Sequence, residues 1–257
     1  MSLGLRTREV RAVLLDIEGT TTPIAFVHDV LFPFARANLN GFLSESRNAA
    51  LAADVTALLK REHEEERVRG GSPPPWMNWS PGEDKRSAER YLHFLMDRDR
   101  KSPALKLLQG HIWERGYRDG ELKGSVFADV VPAIRRWRDA GCDVAIYSSG
   151  SVLAQRLLFA STPEGDLTPL FRAFFDTGAG AKTSPASYAN IVTALESPAA
   201  DVLFISDVTT ELSAARTAGL QVALSLRPGN PAQPDAAAFE SIRSFDEVEV
   251  RTPDVKR

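Results

Sequence analysis

Val13-Leu14-Leu15-Asp16-Ile17-Glu18-Gly19-Thr20-Thr21-Thr22 is an apolar run cut short by two carboxylates and a glycine. Three consecutive aliphatic residues ahead of a turn signal predict a short strand buried on both faces of a parallel sheet. Asp16 then sits at the C-terminal tip of that strand, the edge where open α/β sheets bind ligands. If the chain stays extended through Ile17, Asp16 and Glu18 share a face, and Gly19 lets the backbone turn. Carboxylates placed there can hold a cation, attack an electrophile or simply end the strand.

Beyond Thr22 the pattern becomes helical. Phe26, Val27, Val30, Leu31, Phe34, Ala35 and Leu39 recur at helix spacing, and residues 51–68 continue in that register. His63 lies within Lys-Arg-Glu-His-Glu-Glu-Glu-Arg, a charge run that predicts a solvated helix face rather than a metal ligand. Residues 70–81, with three successive prolines and two tryptophans, predict a loop. Residues 84–95 and 103–109 are again helical, and no strand is expected between Thr22 and Lys123.

From Val126 short apolar runs alternate with helical patterns. Helices are expected at 129–140, from Ser151, at 185–195 and at 210–218. Strands are expected at 143–147, 174–176, 202–205 and 221–226. Such alternation implies parallel pairing through right-handed crossovers. The opening strand at 11–16 has no nearby partner and joins the same sheet. The fold expected is a doubly wound, mainly parallel α/β core from residues 1–21 and 124–257, with residues 22–123 as an inserted all-helical domain.

Each strand tip carries polar groups. Tyr147 leads into Ser148 and Ser149, where a hydroxyl beside the N-terminus of the helix from Ser151 can cradle phosphate or merely cap that helix. Lys182, in Gly178-Ala179-Gly180-Ala181-Lys182, can reach a phosphate as a point charge or lie on the surface. Asp207 closes another buried run and Glu211 follows four residues later. Acids brought near Asp16 would repel one another without a cation, and Mg²⁺ takes such oxygen ligands while keeping several waters.

Composition narrows the rest. With 31 basic and 34 acidic side chains, a net charge of -3 and a pI near 5.9, no electrostatic argument favours nucleic acid or a membrane surface. A single cysteine, Cys142, excludes an internal disulfide and a thiolate zinc site, as suits a reducing cytoplasm. Residues 1–10 lack the apolar stretch of a secretory signal.

The series Asp16-x-Glu18-Gly19-Thr20, Ser148-Ser149, Lys182 and Asp207 resembles the four signature motifs of the haloacid dehalogenase superfamily, mostly magnesium-dependent phosphatases with a Rossmann-like core. Residues 16–34, 105–113, 147–151 and Arg227-Pro228-Gly229-Asn230 resemble more closely its enolase-phosphatase (acireductone synthase) branch of methionine salvage. That resemblance runs from about residue 10 to 245 and is weakest over 44–90.

It implies Asp16 as a nucleophile that forms an aspartyl-phosphate and ligates one Mg²⁺. Glu18 would give its backbone carbonyl to the metal and its carboxylate to acid/base work. Asp207 would complete the metal site with Glu211 supporting it, while Ser148, Ser149 and Lys182 would hold phosphoryl oxygens. The implied substrate is a small phosphorylated diketone, 2,3-diketo-5-methylthiopentyl 1-phosphate, enolised and then dephosphorylated by a cytoplasmic monomer. The enolisation base is open between Glu18 and a group of the helical domain. Phe26 or the loop from Trp76 to Trp79 could wall the methylthio tail, or pack within its own domain. A phosphatase or phosphomutase with another substrate, and a silent phospho-ligand-binding domain, are the competing readings.

Overall fold

The computed structural model describes residues 6–77, 79–98, 100 and 102–252. The expectation for residues 1–10 lies partly outside them. In chain order the strands are β1 (Arg6–Glu9), β2 (Ala12–Leu15), β3 (Asp143–Tyr147), β4 (Ala173–Phe175), β5 (Val202–Ser206), β6 (Gln221–Ser225), β7 (Ser241–Ile242) and β8 (Val248–Arg251). The helices are α1 (Ile24–Phe26), α2 (Phe32–Ser44), α3 (Ala49–Val68), α4 (Pro81–Asp97), α5 (Pro103–Arg118), α6 (Val130–Asp139), α7 (Val152–Ala160), α8 (Pro185–Ala194) and α9 (Thr209–Thr217).

Six strands form one parallel sheet in the order β4-β3-β2-β5-β6-β7. All four residues of β2 are fully buried, as are all five of β5, because helices cover both faces. This is the doubly wound α/β sheet that the sequence predicts. Chain order leaves β2 leftward through β3 and β4, then resumes on its other side at β5. The tips of β2 and β5 therefore lie at the topological switch point, where a crevice opens for ligand. The sequence reading lacked a second sheet, in which β1 pairs in parallel with β8.

The chain divides into two compact units, residues 1–28 with 122–257, and residues 29–121. Among the described residues of the second, none is a strand. Its α4 and α5 each start at a Ser-Pro pair, with Ser80 and Ser102 accepting from the backbone N–H three residues on. A single π-helical turn at Val27–Leu31 lies between α1 and α2.

His63 departs from expectation. It is buried rather than solvated, its Nε2 lies 2.8 Å from the Pro74 carbonyl, and its ring meets Trp76 and Tyr91 edge-on. Trp76 is thus packed within its own unit, whereas Trp79 is largely exposed. Burial pushes the Cys142 thiol up to about 12, so it stays protonated and inert.

Candidate active site

The chain does not run on extended past Asp16. The Ile17 carbonyl accepts from the N–H groups of Thr20, Thr21 and Thr22 at 3.2, 3.0 and 2.9 Å, and Gly19 adopts φ +68°. A tight turn therefore replaces the shared face expected of Asp16 and Glu18. Asp16 is 4 % exposed, while the Glu18 side chain is 43 % exposed and sits 2.9 Å from His28 Nε2. The sequence reading had not singled out His28.

Asp16 lies just beyond the last paired residue of β2, its N–H donating to the Ile205 carbonyl of β5 at 3.0 Å. Its carboxylate is held on both oxygens. Lys182 Nζ and the Ile17 N–H lie 2.6 and 2.8 Å from Oδ1. Ser206 Oγ lies 3.1 Å from Oδ2 and 3.0 Å from Glu211 Oε2, able to donate its proton to either. Lys182 also meets Glu211 Oε2 at 2.6 Å. Lys182 thus joins Asp16 to Glu211, and Ser206, missed by sequence, bridges the same two acids.

Asp207 enters from β5 onto the turn. A Cβ placed on Gly19 would fall 2.4 Å from Asp207 Oδ2, so the glycine admits the carboxylate. The charges do not balance locally, since two buried carboxylates and the half-buried Glu211 have one ammonium among them. Burial, then the charge of Asp16, pushes Asp207 up to about 7 and holds Glu211 above its ordinary range. Burial alone would lower Lys182, but Asp16 and Glu211 outweigh it and keep it charged.

This donor set fits a divalent cation. Asp16 and Asp207 supply hard oxygens, and two positive charges would offset the two left over. Among the described residues no group of three or more His, Cys, Asp or Glu side chains is arranged as a metal cage. Backbone carbonyl and water would have to complete the shell, as Mg²⁺ tolerates.

The Lys182 loop is held by three hydroxyls whose contacts the sequence did not announce. Tyr147, Ser187 and Tyr188 donate to the carbonyls of Gly180, Ala181 and Lys182 at 2.9, 2.7 and 2.7 Å. Ser148, at the tip of β3, is buried and its Oγ accepts from the Gly150 N–H at 3.2 Å. Ser149 is half-buried beside it. The α7 N-terminus is less open than a bare phosphate cradle: Ser151 Oγ accepts from Ala154 N–H, and Asp176 Oδ2 accepts from Val152 N–H.

The chain is 48 % identical over 240 residues to the enolase-phosphatase E1 of Synechococcus elongatus, covering 93 % of this chain and 98 % of that one. It is 44 % identical to a Populus trichocarpa protein named "Probable bifunctional methylthioribulose-1-phosphate dehydratase/enolase-phosphatase E1", over 93 % of this chain and 47 % of that longer one. The UTR4 protein of Saccharomyces cerevisiae has a crystal structure that superposes with a TM-score of 0.73 at 33 % identity, covering 92 % and 99 % of the two chains. The profile of the haloacid dehalogenase-like hydrolases matches residues 10–219, and this chain belongs to that family.

Proposed function

We propose that the chain is a magnesium-dependent enolase-phosphatase of methionine salvage. It enolises 2,3-diketo-5-methylthiopentyl 1-phosphate and releases phosphate to leave the acireductone, 1,2-dihydroxy-5-methylthiopentene-3-one. The observation that carries this is the buried cluster of Asp16, Lys182 and Glu211 at the sheet's switch point, with Asp207 packed on Gly19. Relatives named enolase-phosphatase, one of them joined to a methylthioribulose-phosphate dehydratase, support the substrate.

In this reading Asp16 attacks phosphorus, the ester P–O bond breaks, and Glu18 gives a proton to the departing enolate oxygen. Water, deprotonated by Glu18, then attacks the aspartyl-phosphate; its acyl phosphate P–O bond breaks, freeing phosphate and Asp16. Lys182, Ser148 and the Ser149 N–H hold the phosphoryl oxygens. Asp16, Asp207 and the Glu18 carbonyl would hold Mg²⁺, with Glu211 supporting them through Lys182 and Ser206. The ion would supply charge neutralisation as the transferring group passes through its transition state. Residues 29–121 serve as the family's helical cap, and a single chain works in the cytoplasm.

The test supplies purified protein with the diketone phosphate and Mg²⁺. An ultraviolet-absorbing enol and inorganic phosphate are expected, both lost on chelation. Release of phosphate from unrelated monoesters at equal kcat/KM would instead make it a general phosphatase.

A further inference from the structure

Arg227-Pro228-Gly229-Asn230 has no part in the chemistry above, yet its side chains reach over the end of β5 to the turn after Asp16. Asn230 Nδ2 donates to the Gly19 carbonyl at 2.9 Å and to the Ser225 carbonyl at 3.2 Å. Ser225 Oγ, at the end of β6, donates to the same Gly19 carbonyl at 3.2 Å. Arg227 Nε donates to the next carbonyl, Thr20, at 3.2 Å.

The arginine is itself fixed. It is 7 % exposed, pairs with Asp129 at 2.8 Å, donates to the Arg243 carbonyl at 3.0 Å and lies over the rings of Phe127 and Phe245. Phe127 N–H in turn donates to the Thr21 carbonyl at 3.0 Å. Three successive carbonyls of the turn are thus tied down from outside it.

With both amide hydrogens of Asn230 directed at carbonyls, its Oδ1 faces Gly19. That oxygen is buried without a hydrogen-bond partner among the described residues, 2.9 Å from where a Gly19 Cβ would stand. The same point is 2.4 Å from Asp207 Oδ2. Asn230 and Asp207 therefore press on Gly19 together. A buried acceptor left unpaired is costly, and a residue serving only to join β6 to β7 has no reason to retain it.

We propose that Asn230 and Arg227 are positioning residues: they fix the peptide planes of Gly19 and Thr20, and so set where Asp207 and Asp16 stand relative to each other. The proposal rests on the magnesium-dependent reading of the site. Ligands held to within a fraction of an ångström depend on such outer contacts, whose loss usually weakens metal binding about 10–100-fold.

The experiment uses the full chain with Asn230→Ala and Arg227→Lys, the latter keeping the charge for Asp129 but losing the Nε donor. Mg²⁺ alone is titrated calorimetrically, and kcat, KM and melting temperature are measured in parallel. Asn230→Ala should weaken Mg²⁺ binding and lower kcat, each about 10–100-fold, with KM changed less than about threefold. Arg227→Lys should move the same two quantities in the same direction by a smaller factor. Wild-type Mg²⁺ affinity and kcat in either folded variant would overturn the proposal, as would losses that merely follow the unfolded fraction. The metal titration needs no substrate, so an inactive wild-type protein that still binds Mg²⁺ would refute the reaction and leave the clamp decidable. A wild-type protein that binds no Mg²⁺ refutes both.

Discussion

The sheet unit and the helical unit use the same charged residue types to opposite ends. In residues 29–121, Arg67 meets Glu64 at 2.6 Å and Arg36 meets Asp97 at 2.7 Å, each pair about half exposed and isolated. At the tips of β2 and β5, Asp16, Lys182 and Asp207 are buried with Glu211 half-buried against them, one cation among three acids. Water screens the first kind of pair and makes it nearly neutral energetically. No such screening reaches the second, so its imbalance persists until a ligand relieves it.

The largest effect that would sharpen this contrast is removal of Lys182. Lys182→Met should lower kcat about 10²–10³-fold. It should also destabilise the metal-free protein by about 3–5 kcal/mol in urea unfolding, since Asp16 and Glu211 lose their shared partner. Next comes Asp207→Asn. A carboxyl raised to about 7 when folded, from an ordinary 3.8, binds its proton more tightly in the native state. Metal-free stability therefore falls as pH rises from about 4 to about 7, and the whole penalty is present above that. Asn at 207 should flatten this decline and raise metal-free stability at pH 8 by on the order of 1–3 kcal/mol, while abolishing the Mg²⁺-induced shift in melting temperature.

Two glycines extend the comparison. Gly120, at φ +76°, has open space around its α-carbon, so Gly120→Ala should cost only about 1 kcal/mol of backbone strain and leave turnover alone. Gly19→Ala adds a Cβ into Asp207 and should reduce kcat about tenfold or more beyond any stability loss. Smallest is Arg67→Ala, for which no measurable change in melting temperature or rate is expected.

What the sequence disclosed follows the same division. Val13 to Leu15, Val144 to Tyr147 and Val202 to Ile205 are continuous apolar runs because the sheet is covered on both faces, and each ends where a polar tip begins. Asp16, Lys182 and Asp207 were legible as strand-end or loop residues for that reason. A turn at Gly19 was legible too, but its start at Ile17 was not, because three N–H groups converging on one carbonyl leave no periodic trace. Ser206 reads as an ordinary strand residue until β2 stands beside β5. Arg6–Glu9 carries no apolar alternation, and its partner β8 lies at the other end of the chain. His63 looked solvated amid seven acids and bases because its aromatic neighbours, Trp76 and Tyr91, come from other segments.

Rapid-quench peptide mapping of the working protein tests the central claim most directly. Mixed with the diketone phosphate and Mg²⁺ and quenched in acid within one turnover, the chain should carry one phosphoryl group on the peptide containing Asp16, hydroxylamine-labile and absent from Asp16→Asn. Full turnover with no phosphoryl group on that peptide at any quench time, or undiminished turnover by Asp16→Asn, would contradict it.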